Sequence, residues 1–213
     1  MSKIKGYFDK LLVMDCETTG LNVNATDPSA NDVDGDGGYY QPVSFGLIVA
    51  DAQKHTILDT LYVEIKWDGI SAWNDSAEKI HGLSKEYLEQ NGVTAEEAVV
   101  EIAQFIDKHW PSSSEYSMNR CVRCAGHNVA TFDIWFMRRL YGMAHASDLM
   151  FKTGNRFVDT SSIGYVAGFY TSDALFEHLG TARQAHNSLE DAYMSLKAIK
   201  YISRQLKKAA QLQ

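Results

Sequence analysis

The chain has 213 residues, of which 45% are hydrophobic and 22% are charged, and its formal net charge is −7 at pH 7. This length and composition exclude a disordered protein and predict a single domain spanning residues 1–213. The negative charge excludes a protein that coats nucleic acid by bulk electrostatics, but not one that grips a nucleic-acid end through metal ions. No apolar run is long enough for a membrane span and three cysteines are too few for a disulfide framework, so we expect a cytoplasmic protein.

The first half of the chain is predicted to form a β-meander with a long insertion. Apolar, β-prone runs predict strands at about 8–16, 43–50 and 56–66. A polar segment rich in Asn, Asp and Gly, at about 23–42, is inserted between the first two strands. We expect a mobile flap there, because loops of this length are usually functional or mobile.

The second half is predicted to be mainly helical. Thr94 and Glu97 have the spacing of a capping box, which predicts a helix that begins there and ends at His109. Together with the opening meander, this order predicts an α/β fold with a mixed β-sheet flanked by helices. The other predicted elements are a helix at 76–88, a strand at about 120–128, a helix from Asp133, a short helix at 172–179 and a last helix from about Asn187 to Gln211.

Two acids at the end of the first strand are the first candidate site residues. Side chains two apart on a strand share a face, so the Asp15 and Glu17 carboxylates project together while Cys16 turns into the core as a spectator. Adjacent carboxylates repel unless a cation neutralises them, and oxygen ligands favour Mg²⁺ or Mn²⁺ over zinc. The pattern indicates a divalent metal site, with a pair of solvated turn acids as the alternative.

Three further candidates occur in two later segments. Asp133 opens a predicted helix, and His186 and Asp191 lie five residues apart around the start of the last helix. Because His186 directly precedes that helix and Asp191 falls in its first turns, both side chains can face one cleft. A lone histidine is more often structural than catalytic, but this one accompanies an acid in a chain that already carries paired carboxylates.

These segments resemble the motifs of a known enzyme family. DCETTGL (15–21), HNVATFD (127–133) and HNSLEDA (186–192) are similar to the Exo I, Exo II and Exo III motifs of the DEDD superfamily of 3′–5′ exonucleases, in its DEDDh, or DnaQ-like, branch. AEKIHGLS (77–84) and FVDTSSIG (157–164) resemble the family's I-H-G and V-D-T segments. The chain is identified on these matches as a member of that family.

The resemblance implies an RNase H-like fold and a metal-dependent 3′–5′ exonuclease that hydrolyses single-stranded nucleic acid to nucleoside 5′-monophosphates. Two divalent ions, Mg²⁺ or Mn²⁺, are implied as cofactors. Asp15 would bridge both ions, Glu17 and Asp191 would complete one site, and Asp133 would hold the second ion. His186 would act as the general base on the attacking water.

The resemblance also suggests contacts to the substrate. The candidates are Thr18, Thr19, Leu21 and His81, and also Phe132, which is suited either to stacking on a base or to the core. The chain has one residue more than the family's usual H-N-x-x-F-D spacing, which affects the expected register of His127 and Asn128 more than that of Asp133. It also inserts the 23–42 segment where the family has a short turn.

Two charged segments have competing interpretations. Asp32, Asp34 and Asp36 match the opening of a calcium-binding loop, but Val43 occupies the position where that loop requires a bidentate Glu, so a regular EF-hand is excluded. Irregular cation binding by residues 31–38 is left open. The last helix carries a basic stripe, expected either to be solvated or to track a phosphate backbone, formed by Lys197, Lys200, Arg204, Lys207 and Lys208.

Several functional alternatives remain at this point. We favour single-stranded DNA as the substrate, with RNA trimming of the oligoribonuclease type as the alternative. From other classes, a haloacid-dehalogenase-like phosphatase also begins with an apolar strand and two acids, and an inactive nucleic-acid-binding module would keep the fold but lose a metal ligand. The expected partner is a nucleic-acid 3′ end, together with a polymerase or a second copy of the chain, and no membrane.

Overall fold

The computed structural model describes residues 9–111, 121–180 and 186–211. The strands are β1 (Lys10–Thr18), β2 (Pro42–Asp51), β3 (Ile57–Glu64), β4 (Cys121–Val122), β5 (Cys124–Gly126), β6 (Lys152–Thr153) and β7 (Val158–Asp159). The helices are α1 (Asp75–His81), α2 (Lys85–Asn91), α3 (Ala95–His109), α4 (Asp133–Met143), α5 (Thr160–Val166), α6 (Ser172–His178) and α7 (Ser188–Ala210).

A five-stranded mixed sheet forms the centre of the fold, with the strand order β3-β2-β1-β5-β7. The first three strands are antiparallel neighbours, as the predicted meander requires. β5 and β7 then run parallel to β1, so the carboxyl ends of β1, β5 and β7 meet at one edge of the sheet. The short strands β4 and β6 pair separately in parallel. The predicted mixed α/β architecture is confirmed.

Side chains alternate along β1 between two layers of the core. Leu12, Met14 and Cys16 face the larger layer, which is covered by α3 and α4. Leu11 and Val13 face the opposite layer, which is covered by α7. By the same alternation, Asp15 and Glu17 belong to the α7 side of the sheet.

Helix α7 is the longest helix, with 23 residues. Its first turn is capped by Asn187, whose side chain accepts hydrogen bonds from the backbone N–H groups of Leu189 and Glu190. Its apolar face, which includes Ala192 and Leu196, packs on the sheet. Among the described residues, no helix combines the length and apolar character needed to cross a membrane.

Several boundaries differ from the sequence-based predictions. The helix predicted at 76–88 is two helices, because Gly82 ends α1 with a φ of 74° and the Ser84 side chain caps α2. The strand predicted at about 120–128 is divided into β4 and β5, and α5 was not predicted. The capping box of Thr94 and Glu97 is present as predicted and starts α3.

Candidate active site

The carboxyl end of β1 provides the first two site residues. In the sheet, Asp15 lies opposite Gly46 of β2 and Glu17 lies opposite Ser44. Glu17 is buried, whereas Asp15 is half-buried. A register shift between Glu17 and Thr18 ends the regular pairing at this point, so the two carboxylates stand where the strand leaves the sheet.

The start of α7 lies directly on β2 at the same edge. A Cβ atom at Gly46 would fall 2.2 Å from the backbone nitrogen of Leu189, so only glycine permits this approach. Next to it, the Ser44 and Ser188 hydroxyls form a hydrogen bond of 2.9 Å. Sequence reasoning missed these residues; a glycine inside an apolar strand, which often marks a close backbone approach, was the signal available for Gly46.

This approach brings three predicted site residues together. Glu17, His186 and Asp191 each provide one potential ligand atom, and these three atoms lie within 4.8 Å of one another. The Asp191 side chain is 2% exposed and the His186 side chain is 36% exposed, and the distance from His186 Nδ1 to Asp191 Oδ2 is 3.9 Å. The arrangement combines buried carboxylates with an imidazole that solvent can reach.

Asp133 lies beside Cys16, the residue between the two acids of β1. It begins α4, as predicted, and it is buried. Burial raises the pKa of Asp133 to about 7, and the charge of Asp159 adds to the rise, whereas polar contacts with the Cys16 thiol and backbone oppose it. Among the described residues, Asp133 Oδ2 is buried without a hydrogen-bond partner.

Cys16 has a contact that its prediction as a spectator residue did not include, with the Asp133 carboxyl group. Its side chain points into the core as expected, but α4 begins on that side of the sheet and places Asp133 beside the thiol. Burial and then the Asp133 charge raise the Cys16 pKa well above its ordinary value, so the thiol stays protonated. A protonated thiol can donate weakly to the Asp133 carboxylate, which the alternating pattern of β1 alone did not reveal.

His81 lies at the same edge of the sheet. It is buried at the end of α1, and its Nδ1 accepts a hydrogen bond of 3.0 Å from the Leu83 N–H. Burial lowers the pKa of His81 to about 4, with a smaller contribution from His186, while the Thr18 backbone acts in the opposite direction. His81 is therefore neutral at neutral pH, and it lies close enough to His186 for the charge of that ring to lower its pKa.

The other predicted substrate contacts have different environments. The Thr18 hydroxyl donates to the Gly20 carbonyl at 2.7 Å, and Thr19 Oγ1 accepts from the Gln41 N–H at 3.0 Å, so both hydroxyls stabilise the turn after β1. Leu21 is 71% exposed and is accessible to a ligand. Phe132 is partly buried and packs against the core, with its ring 4.9 Å from that of Phe136.

The inserted segment is anchored by Arg139 of α4. Its guanidinium donates to the carbonyls of Val23 and Ala25 at 3.1 and 2.8 Å, and it also donates to the Asn22 and Tyr40 carbonyls. Both ends of the insertion are thus attached to one half-buried cation. The ends of the expected flap are therefore fixed to α4. Its acidic centre is exposed, and there Asp32 Oδ1 accepts a hydrogen bond from the Gly35 N–H.

The basic stripe runs away from the carboxylates. His55, in the turn between β2 and β3, has a pKa lowered by burial and by the charges of Lys207, Lys200 and Arg204. That turn lies at the opposite end of the sheet from Glu17, because Lys10 at the start of β1 pairs with Asp51. Lys200, Arg204 and Lys207 therefore lie toward the end of the sheet that is remote from Glu17.

Buried carboxylates gathered around an imidazole, at the edge of a mixed sheet, are typical of metal-assisted hydrolases. Residues 12–199 match the RNase_T family, which is described as Exonuclease. The chain belongs to this exonuclease family, within the DEDD superfamily, and the predicted family and class of enzyme are confirmed. The phosphatase alternative is not supported by this membership.

The structure is similar to those of solved exonucleases. E. coli Exonuclease I in complex with a dT13 oligonucleotide superposes with a TM-score of 0.70 at 14% identity, covering 96% of this chain and 43% of the other. Exonuclease I from Methylocaldum szegediense gives a TM-score of 0.64 at 17% identity, covering 90% and 40%. The chain thus spans about two fifths of these proteins. The predicted RNase H-like fold is confirmed. No curated protein matches the sequence.

The donor set fits divalent cations. Glu17 and Asp191 offer buried carboxylate oxygens close to one another, and Asp133 Oδ2 is a buried oxygen without a hydrogen bond in the described chain. Hard oxygen donors of this kind suit Mg²⁺ or Mn²⁺. Cys121 and Cys124 belong to no cluster of metal-binding side chains in the described ranges, and Cys124 is buried in the core.

Proposed function

We propose that the chain is a metal-dependent 3′–5′ exonuclease that removes nucleoside 5′-monophosphates from single-stranded nucleic acid, with DNA favoured over RNA. The observation that carries this proposal is the gathering of Glu17, His186 and Asp191 within 4.8 Å at the edge of a sheet of the exonuclease family. The proposal treats residues 1–213 as one exonuclease domain with an insertion at about 23–42.

In this proposal, two cations, Mg²⁺ or Mn²⁺, are held by the four acids. Glu17 and Asp191 offer ligand atoms within 4.8 Å of each other, and Asp15 shares the face of β1 with Glu17. Asp133, at the start of α4, contacts Cys16, the residue between Asp15 and Glu17. When bound, such ions stabilise the attacking and leaving oxygens of a phosphodiester. Because Asp133 binds a proton with a pKa of about 7 in the metal-free protein, it must lose that proton to act as a ligand.

His186 is proposed as the general base. Its ring is partly open to solvent, so a water molecule can reach it, whereas the acids around it are more deeply buried. His186 Nδ1 lies 3.9 Å from Asp191 Oδ2, so the imidazole is next to one of the carboxylates proposed to hold metal. His186 would accept the proton of water as the oxygen attacks phosphorus.

The terminal nucleotide is proposed to contact the turn after β1. Leu21 offers an exposed apolar side chain, and Thr18 and Thr19, whose hydroxyls stabilise the turn, offer backbone groups. His81 stays neutral and adds no charge near His186. Phe132, packed on Phe136, presents only part of its ring for stacking.

Similar solved structures support DNA rather than RNA as the substrate. The E. coli Exonuclease I structures contain dT13 and dA16 oligonucleotides, which supports a single-stranded DNA substrate here. RNA trimming is the second candidate, because discrimination depends on contacts at the sugar 2′-position. A cytoplasmic location and a polymerase or second-copy partner stay predictions.

The test is a parallel digestion of matched single-stranded DNA and RNA, each labelled at the 5′ end, with Mg²⁺ or with a chelator. We expect a series of 5′-labelled products that shorten from the 3′ end on DNA, with slower digestion of RNA and none in chelator. Faster digestion of RNA would reverse the substrate preference. Release of internal fragments, or digestion in chelator, would overturn the proposed reaction.

A further inference from the structure

A pocket opens at the same edge of the sheet as the carboxylates. It has a volume of about 530 Å³ and lies beyond the ends of β5 and β7, where His127, Asn128 and Ser161 line it. Val13 pairs with Ala125 and Gly126 pairs with Asp159, so the segment after β5 emerges next to Asp15 on the neighbouring strand. The pocket therefore lies next to the candidate active site, along the same edge of the sheet.

Hydrogen bonds among Asn128, Asp159 and Ser161 hold the polar side of this pocket in place. Asn128 has a φ of 56°, and its backbone N–H donates to Asp159 Oδ1 at 3.1 Å. The Ser161 hydroxyl donates to Asn128 Oδ1 at 2.6 Å, and the Ser161 N–H donates to the same Asp159 oxygen at 2.9 Å. Because the Asn128 oxygen accepts from Ser161, its NH₂ group is oriented as a donor for a ligand.

The other side of the pocket is aromatic and exposed. Tyr165 and Tyr170 are 67% and 75% exposed, and their rings meet edge to face with centroids 5.3 Å apart. Phe169, which completes this side, packs on His178 with centroids 4.8 Å apart. Two large tyrosines with open ring faces contribute little to the core, and such faces are what single-stranded bases stack on.

The described residues that line the pocket include no Asp, Glu, Lys or Arg, in a chain with a net charge of −7. A neutral lining with open aromatic faces and amide and hydroxyl donors does not suit a metal ion or an isolated phosphate. It suits a nucleobase, which needs a stacking face and hydrogen-bond partners on its edge.

We propose that this pocket binds a nucleobase of the substrate strand, away from the nucleotide being cleaved, with Tyr165 and Tyr170 as the stacking face and Asn128 as an edge donor. This inference rests on the proposed function, since it assumes that single-stranded nucleic acid is the substrate. The pocket acts on strand affinity, and it takes no part in bond cleavage.

The first test measures binding without catalysis. A fluorescent dT oligonucleotide is titrated with wild type and with the double variant Tyr165→Ala/Tyr170→Ala in chelator, using anisotropy. Since a stacked base contributes about 1–3 kcal/mol, we expect the Kd to rise roughly tenfold in the double variant. Tyr165→Phe/Tyr170→Phe, which keeps both rings, should retain the wild-type Kd. Leu206→Ala, which removes an exposed apolar side chain near the far end of α7, should also leave it unchanged.

The second test separates the pocket from the reactive centre. The p-nitrophenyl ester of thymidine 5′-monophosphate has no upstream base, so the double alanine variant should hydrolyse it at the wild-type rate while its KM for the oligonucleotide rises about tenfold. An unchanged Kd in chelator would overturn the pocket assignment, as would an equal loss on the small ester. If the wild type binds the oligonucleotide but hydrolyses neither substrate, the proposed function fails while the pocket assignment stands on the binding data.

Discussion

Gly46 of β2 lies against the backbone of Leu189 in the first turn of α7, so closely that a Cβ atom would fall 2.2 Å from the Leu189 nitrogen. Gly46 is also the sheet partner of Asp15. One residue therefore links the strand of paired acids to the helix that carries Asp191. This contact sets the distance between α7 and the sheet. It therefore also sets the distance between Asp191 and the acids of β1.

Gly46→Ala is expected to displace α7 from β2. The added methyl group meets main-chain atoms, which cannot rotate away as a side chain can, so we expect a loss of stability of about 2–3 kcal/mol and activity reduced at least tenfold. Urea unfolding and the rate of oligonucleotide digestion measure the two effects.

Gly142→Ala is the matched control for that substitution. Gly142 lies in α4, and the nearest side-chain atom to a new Cβ would be Ser147 Oγ at 4.0 Å. Alanine should there be neutral or stabilising, because it favours the helix. Equal effects of the two substitutions would show that the Gly46 contact does not set the position of α7.

Asp133→Asn is expected to stabilise the metal-free protein at high pH. The pKa of Asp133 is raised to about 7, above the ordinary value of about 4 in the unfolded chain, so the folded state binds the proton more tightly. Stability from this group is fully present below about pH 4 and is lost as the pH rises through 7. Asparagine carries no charge to bury and avoids that loss.

The difference between Asp133→Asn and wild type should therefore grow by about 2–3 kcal/mol between pH 5 and pH 8, measured by urea unfolding in chelator. Asp34→Asn, which removes the same charge at an exposed position, serves as the control. A pH-independent difference for Asp133→Asn would mean that this carboxyl is already ionised at pH 5. Metal-dependent digestion by Asp133→Asn should be lost in either case.

Arg139→Ala is expected to release the insertion between β1 and β2. The guanidinium donates to four backbone carbonyls at the two ends of the segment, and its charge stacks on the Tyr39 ring at 4.1 Å. Losing these bonds should cost about 3 kcal/mol and should allow proteases to cut within residues 22–40. Limited proteolysis followed by mass spectrometry locates the cut. Arg138→Ala, at the exposed neighbouring position, should be cut no faster than wild type; equal resistance of both variants would contradict the anchoring role.

His186→Ala tests the proposed general base. Removing a general base typically slows a reaction by about 10²–10⁴-fold, whereas the acids that hold metal stay in place. We expect kcat to fall by that factor while Mn²⁺ binding, measured by calorimetry, stays within about threefold of wild type. His55→Ala, at the opposite end of the sheet, should change neither quantity. Hydrolysis at the wild-type rate by His186→Ala would refute the role.

The sequence predicted the architecture well where the signal is local. The three strands of the meander and the capping box of Thr94 and Glu97 follow from patterns within a few residues. The division at Gly82 was missed because a single helical pattern continues across it, and α5 was missed because its seven residues are too short for a clear period.

The residue types of the site could be predicted from the sequence, but the contacts that hold these residues in place could not. Motif order alone pointed to Glu17, His186 and Asp191, and the structure gathers them, although their roles stay predictions. The contact of Cys16 with Asp133 and the carbonyls bound by Arg139 depend on which elements pack together. Long-range contacts of this kind leave no periodic trace in a single sequence.

The most direct test of the central claim is digestion of a 5′-labelled single-stranded DNA by wild type and by Asp191→Asn with Mg²⁺. Asp191 is buried within ligand distance of Glu17 and His186, and asparagine preserves its shape while removing its charge. The proposed mechanism predicts progressive shortening from the 3′ end by wild type and a rate at least a hundredfold lower for a folded Asp191→Asn, on the order of losing a metal-holding acid. Digestion by Asp191→Asn at the wild-type rate would contradict the assignment of this cluster as the active site.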